Sequence, residues 1–352
     1  MSGLPAVDHC YEQGWTDGLP VIPCDQEQLD AVLAQVDRAP DEVLLAMPQL
    51  NRAVTVRLAA INAVMAGCLP EYFPTVVAAW DSLREEGYPR KGIWQSTTGT
   101  GSMLLVNGPV RQRLGINSRG NLFGPGFRAN ATIGRAVRLA AINALGLRPH
   151  ELDQATQGTP AKYTCCIGEN EEESPWSPLH VDSGLAPEDS AVTAMTMRSV
   201  VHIEARHTVV PEQLLRDVAG TAARTGALLH QSVSACLVLG PEHAHLLADA
   251  GWTKKEVSAF VHEHSFLSRA DLHRVGKGAI SRTSRWRVPV DHPDAEVDAG
   301  PDPRQDGVHA LTSPEAVLVV VAGAANSGVS AVVETFGPRG DRPPVVRIAG
   351  RG

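Results

Sequence analysis

The chain has 352 residues, of which 43% are hydrophobic and 20% charged, and a formal net charge of -8. These values exclude an intrinsically disordered chain and leave enough apolar material for one large or two medium domains. The acidic balance argues against nucleic acid or an anionic membrane as partner, because both require a basic footprint. Six cysteines without regular spacing do not form a disulfide framework. The opening MSGLPAVDHCYEQGW lacks a basic segment followed by an apolar run, and the longest apolar run, AVLVVVAGAA from Ala316, is too short to span a bilayer. A cytoplasmic location is therefore expected.

Residues 1–27, with GWTDGLPVIPCD at Gly14 to Asp25, predict an extended, turn-rich arm. Helix is predicted at 28–40 and again from Asn51 to Gly67, where Val54, Leu58, Ile61 and Met65 recur at helical spacing and Gly67 suits the stop. Pro70 and Pro74 open a further helical segment through Trp80 to Glu86. The octapeptide VRLAAINA occurs at Val56–Ala63 and again at Val137–Ala144, which points to internal duplication. Each copy carries an arginine (Arg57, Arg138) and an asparagine (Asn62, Asn143) at equivalent places. Buried polar groups need partners, so these residues are expected to hydrogen-bond between helices across a pseudo-two-fold.

Within Gly92–Asn117, SMLLV reads as a buried strand. STTGTGS before it and NGP at Asn107 after it expose backbone to close approach by a ligand. Neither fits a P-loop or a G-x-G-x-x-G opening a helix, so no nucleotide site follows. In Ser118–Gly146, a glycine-rich loop leads to Asn130 as the expected N-cap of the helix carrying the second repeat copy. Arg128 and Arg135 flank it, which suggests a site for a carboxylate, phosphate or sulfonate. The alternative is an ordinary capped helix with surface arginines.

From Ser190 the pattern turns to β, with AVTAMTMRSVVHIEAR rich in valine and threonine, then an amphipathic helix from Pro211. LLVNGP, LVLGP and VLVVVAGAANSG read as buried strands with ligand-friendly loops at their carboxyl ends. Residues 291–312 are rich in Asp, Pro and Gly and predict an exposed loop. The expected organisation is an arm (1–27), a duplicated helical half (28–185) and a β-rich half (186–352), forming an α/β or α+β protein with a mixed sheet.

Lys162–Gly184 concentrates the reactive side chains. Glu169 and Glu171 to Glu173 crowd beside Trp176 and His180. Like charges in an enclosed site raise a carboxyl pKa into the range of a general acid or base. Glu169 and Glu172 are thus the proton-transfer candidates, with His180 assisting; a solvated acidic turn is the alternative, against which a tryptophan held between prolines argues. Cys165 and Cys166 are adjacent, so at most one faces a pocket on a strand. Cys166 is a nucleophile or redox thiol if a cation lowers its pKa, and an inert buried thiol otherwise. His243/His245 and His262/His264 lie two apart and share no helix face, and no H-E-x-x-H occurs, so no metal is predicted. His180 with Glu169 or Asp182 is the weaker metal alternative. Asn107, Arg128, Asn130, Arg135 and Trp176 are the substrate-binding candidates.

GWTDGLPVIP, INAVMAGCLPEY, VNGP with LGIN, FGPGFRANATIGRA, ENEEESPW with PLHV, and LGPEHA with AGWTK resemble the large region of the UGSC family, over roughly residues 11–335. That family is named for a selenocysteine-Gly-Ser-Cys redox motif on a separate or fused segment, which this chain lacks. The resemblance implies a soluble bacterial-type metabolic enzyme and a small UGSC-type partner protein. The combined expectation is a small-molecule enzyme of lyase, isomerase or hydrolase type, using carboxylate acid–base chemistry on an anionic organic substrate without an identified cofactor, and possessing a homodimeric assembly. The alternatives are a thiol redox protein using Cys166 and a non-catalytic binding subunit.

Overall fold

A computed structural model describes residues 3–87, 92–228, 233–296, 306–335 and 342–350. It shows the expected class, helices combined with a sheet of parallel and antiparallel strands. The chain divides into two compact units. The first comprises Met1–Glu171, Pro178–Met197 and Pro343–Gly352, and the second Glu172–Ser177 and Arg198–Arg342.

The first unit contains α1 (Gly3–Glu12), α2 (Gln26–Leu33), β1 (Val43–Met47), β2 (Arg52–Thr55), α3 (Val56–Ala66), α4 (Phe73–Glu86), β3 (Gly101–Asn107), α5 (Val110–Leu114), α6 (Arg128–Asn143), β4 (Cys166–Gly168), α7 (Leu179–Asp182) and the start of β5 (Ala191–Glu204). The arm expected to be extended over 1–27 includes a helix, α1. Its only proline, Pro5, lies in the first turn, where a missing N–H costs nothing. The helix expected from Asn51 begins later, at Val56. Arg52–Thr55 instead pairs antiparallel with β1, and Thr55 caps α3 by accepting from the Leu58 N–H. Gly67 ends α3 at φ 92°, as its position predicts.

Strand β3 runs parallel to β4, with Leu104 opposite Cys166, and antiparallel to β5, with Asn107 opposite Ala191. A carboxyl-terminal strand, Val345–Arg347, pairs with the other edge of β5. Helices α3 and α6 pack on each other, and both are rich in small buried residues, Ala59, Ala60 and Ala63 on α3 and Ala136, Ala140 and Ala141 on α6. Phe73, Val76, Trp80 and Leu83 bury one stripe of α4. Truncating Trp80 to alanine would cost about 3–5 kcal/mol.

The second unit contains α8 (Pro211–Ala222), β6 (Ser234–Leu239), α9 (Pro241–Asp249), α10 (Lys254–His264), β7 (Phe266–Ser268), α11 (Arg269–Arg274), β8 (Ala279–Ser281), β9 (Arg287–Val288), β10 (Ala295–Glu296), β11 (Gly307–His309), β12 (Val317–Val321) and β13 (Val329–Thr335). Strand β6 pairs parallel with β12 and antiparallel with β13, so the loops after β6 and β12 leave at the same end. Leu214, Val218, Leu237, Val257 and Val319 join in its core. Residues 297–305 of the loop expected at 291–312 lie outside the described residues. Its first flank, 291–296, is exposed or half-buried as expected although β10 pairs with β8; its last flank is not an exposed excursion, since β11 pairs with β7 and Val308, Ala310 and Leu311 are buried because their apolar side chains complete this core.

Candidate functional site

The end of β3 and the chain leaving β4 converge on a buried polar cluster in the first unit. Asn107 Nδ2 donates to Glu169 Oε2 at 2.6 Å and to Glu171 Oε1 at 3.1 Å. The Leu179 N–H, at the start of α7, donates to the same Glu169 oxygen at 2.9 Å. Glu171 also accepts from the Gly108 N–H at 2.7 Å and pairs with the Arg111 guanidinium at 2.9 Å. Arg111 further donates to the Glu169 carbonyl at 2.6 Å. His180 is wholly buried, with Nδ1 3.9 Å from Glu171 Oε1. The structure brings three of the candidate residues, Asn107, Glu169 and His180, to one cluster, and adds Arg111, which lies in an unremarkable amphipathic stretch, VRQRL. Glu169 and Asn107 are both 0% exposed. With two donors on Oε2 and none of its surface open to a substrate, the Glu169 carboxylate is a staple joining three chain segments.

The remaining expected site residues do not join this cluster. Arg128 donates through Nε and Nη2 to the Gly67 carbonyl, at 3.1 and 3.0 Å, and so caps the C-terminus of α3 instead of holding an anion. Arg135 forms a fork with Asp17 at 2.7 and 2.8 Å and also reaches the Leu19 and Pro20 carbonyls, tying down the amino-terminal arm. Asn130 is not the N-cap; Phe127 occupies that place, and Asn130 bridges the Asn117 backbone to the Cys166 carbonyl. Glu172 and Trp176 belong to the second unit, where Glu172 is exposed and the Trp176 indole donates to the Trp252 carbonyl at 3.0 Å. Cys166 is buried, and burial pushes its thiol well above the ordinary range, with Cys165 and Cys68 adding to the effect. That environment opposes a thiolate. Among the described residues no three His, Cys, Asp or Glu side chains form a metal-ligand group, and no helix is long and apolar enough to cross a membrane.

The glycines of STTGTGS also serve the protein itself. A Cβ on Gly99 would lie 2.7 Å from the Gly158 backbone, and one on Gly101 would lie 2.9 Å from the Ala161 carbonyl carbon. The close approach expected for a ligand is made by residues 155–161.

That segment forms one wall of a cavity of about 870 Å³, lined among others by Thr16, Asp17, Arg138, Arg148, His150 and Lys162. Its charged centre is a triad. Lys162 Nζ donates to both oxygens of Asp153, at 2.7 and 2.6 Å, and Arg138 Nη2 donates to one of them at 2.6 Å. The Ala155 N–H adds a third kind of donor at 3.1 Å. Burial alone would raise the Asp153 pKa, but the Lys162 hydrogen bond and the Arg138 charge outweigh it and hold the carboxyl below its ordinary value. Burial pushes the Lys162 ammonium down; its hydrogen bond to Asp153 opposes this, and the neighbouring Arg138 charge reinforces it. Arg148 lies over Gly14, and its buried Nε has no hydrogen-bond partner among the described residues.

Arg138 belongs to the second repeat copy. Its counterpart Arg57 is largely exposed, 3.7 Å from Asp41, so the two arginines have different fates. The sequence did carry one signal for this site: residues 144–159 form an irregular stretch too long for a simple connection, the kind that more often carries function. Compared with known proteins, no family model, no curated protein and no solved structure matches the chain.

Proposed function

We propose that the chain is a small-molecule enzyme that holds an anionic organic substrate in the Arg138–Lys162 cavity and transfers a proton there, in a lyase, isomerase or hydrolase reaction. The observation carrying this reading is the charge arrangement: Arg138 and Lys162 share the single carboxylate of Asp153, and Arg148 lines the same cavity. Asp17 is engaged by Arg135, so the cavity's three cations, Arg138, Arg148 and Lys162, face the carboxylates of Asp153 and the exposed Glu151, an excess of one positive charge suited to a carboxylate or phosphate. Lys162, with its depressed ammonium, is placed as acid or base, and Asp153 keeps it oriented. Glu169, Glu172 and His180 are relieved of the catalytic role expected of them. The burial of Cys166 weighs against the thiol-redox alternative. Membership of the UGSC family, a small redox partner, homodimerisation and a cytoplasmic location remain part of the proposal, the last in keeping with free cysteines at all six positions.

The test is thermal denaturation of the full chain with inorganic phosphate, oxalate and malonate, beside an uncharged control. A saturable rise in Tm that weakens at least tenfold in apparent affinity in Arg148→Ala and Lys162→Met supports the site. Equal shifts in the parent and both variants would remove it.

A further inference from the structure

We infer that Lys162 is a nucleophile toward carbonyl compounds, condensing with the carbonyl carbon of a small 2-oxo acid whose carboxylate is held by Arg148. This rests on the cavity being the substrate site and names the substrate class.

The geometry favours an amine that can be freed. Lys162 is the only lysine among the described residues that lines the cavity, in a chain of five lysines. The Lys162 stem passes close to Gly158, with Cδ 3.8 Å from where a Cβ at that residue would lie, and Nζ spans both oxygens of Asp153. Asp153 is not Lys162's alone: Arg138 takes one of its oxygens too, so the carboxylate stays neutralised when the lysine gives up its proton. A lysine becomes nucleophilic when desolvation and a neighbouring cation favour its neutral form, and both are present here. Arg148 lines the same cavity and supplies the cation that a substrate carboxylate would engage.

The step balances without an outside oxidant or reductant. Neutral Lys162 Nζ forms a bond to the carbonyl carbon, and the carbonyl oxygen takes up a proton to give a carbinolamine. That oxygen then leaves as water after a second protonation, and nitrogen supplies the electron pair of the C=N bond. Asp153, touching Nζ, relays the protons between nitrogen and oxygen. The sum is amine plus carbonyl giving imine plus water, and the imine then acts as an electron sink for bond cleavage or proton removal at the adjacent carbon.

The full-length protein is incubated with glyoxylate and sodium cyanoborohydride, which reduces an imine to a stable secondary amine, and the product is read by intact mass and peptide mapping. One adduct per chain is expected, at Lys162, forming at least tenfold faster than at the exposed Lys255. Arg148→Ala should slow it, and Lys162→Arg, which keeps a cation beside Asp153, should abolish it. Mapping on the unaltered chain decides the matter even where a variant fails to fold. Labelling at Lys162 no faster than at Lys255 overturns the imine. If phosphate and oxalate still raise Tm through Arg148, that result leaves the acid–base reading standing; if they do not, both fall.

Discussion

Asn143 Nδ2 donates to Asn62 Oδ1 at 2.7 Å, joining the same position of the two octapeptide copies across the α3–α6 contact. The Asn62 amide turns back to the Leu58 carbonyl at 2.9 Å, and Asn143 also reaches the Trp15 carbonyl at 3.1 Å. The hydrogen bonding expected between the repeats is therefore present for the asparagines and not for the arginines, which pair with Asp41 and Asp153, and one copy opens α3 while the other closes α6.

Breaking this pair should cost more than replacing it. Asn62→Leu or Asn143→Leu alone leaves a buried amide without its partner and should lower stability by about 1–3 kcal/mol. The double variant should lose less than the two single losses added together, because neither amide is then stranded. Urea unfolding of the four proteins measures the coupling; strict additivity would show that the bond contributes nothing.

Asp153→Asn should be among the most damaging isosteric changes in the first unit. It leaves Arg138 and Lys162 facing each other without a counter-charge, at a cost of about 3–5 kcal/mol. The folded Asp153 pKa is depressed, so its stabilisation is present above the unfolded aspartate value of about 3.9 and is lost as pH falls through the lower folded value. The gap between parent and variant should thus be wide at neutral pH and narrow in strong acid. Lys162, also held low, shifts stability in the same direction in a separate window: its charged form is penalised, and that penalty lifts as pH rises through its folded pKa toward the ordinary lysine value. Chemical denaturation from pH 3 to 10 would reveal both limbs.

Arg111→Met should cost about 3–5 kcal/mol by removing the counter-charge of the part-buried Glu171, and Arg111→Lys should recover little of it. The guanidinium serves the Gly108 carbonyl, the Glu169 carbonyl and Glu171 in separate directions, a fan that one ammonium does not reproduce. Equal stability of the lysine variant and the parent would show that charge alone matters here.

Iodoacetamide at pH 7 should leave Cys166 unmodified in the folded protein and alkylate it readily in urea. Its thiol is buried and pushed up by desolvation, so little thiolate forms. Mass spectrometry of the native and unfolded digests gives the ratio; native labelling at a model-thiol rate would return Cys166 to the list of reactive residues.

Local pattern made much of this fold legible. SMLLV, LVLGP and VLVVV are the buried strands β3, β6 and β12, and Pro211 opens α8 as its ring geometry allows. The meeting of Asn107, Glu169 and His180 was also readable, since they flank short connections after two adjacent strands. The arginines were not. What Arg128 and Arg135 bind is set by acceptors 61 and 118 residues away, which no local window contains. Lys162 opened the stretch that attracted attention for its glutamates and cysteines, yet its significance depends on Arg138 and Asp153 folding back upon it.

The fit between Gly99 and Gly158 bears on redesign. Gly99 sits at φ 73°, Gly158 also at φ 73°, and the backbone of one occupies the space where a side chain of the other would begin. Laboratory evolution of this cavity will therefore find the wall beneath Lys162 almost immutable, and altered selectivity will accumulate at other lining residues, Arg148, His150 and the arm residues around Thr16.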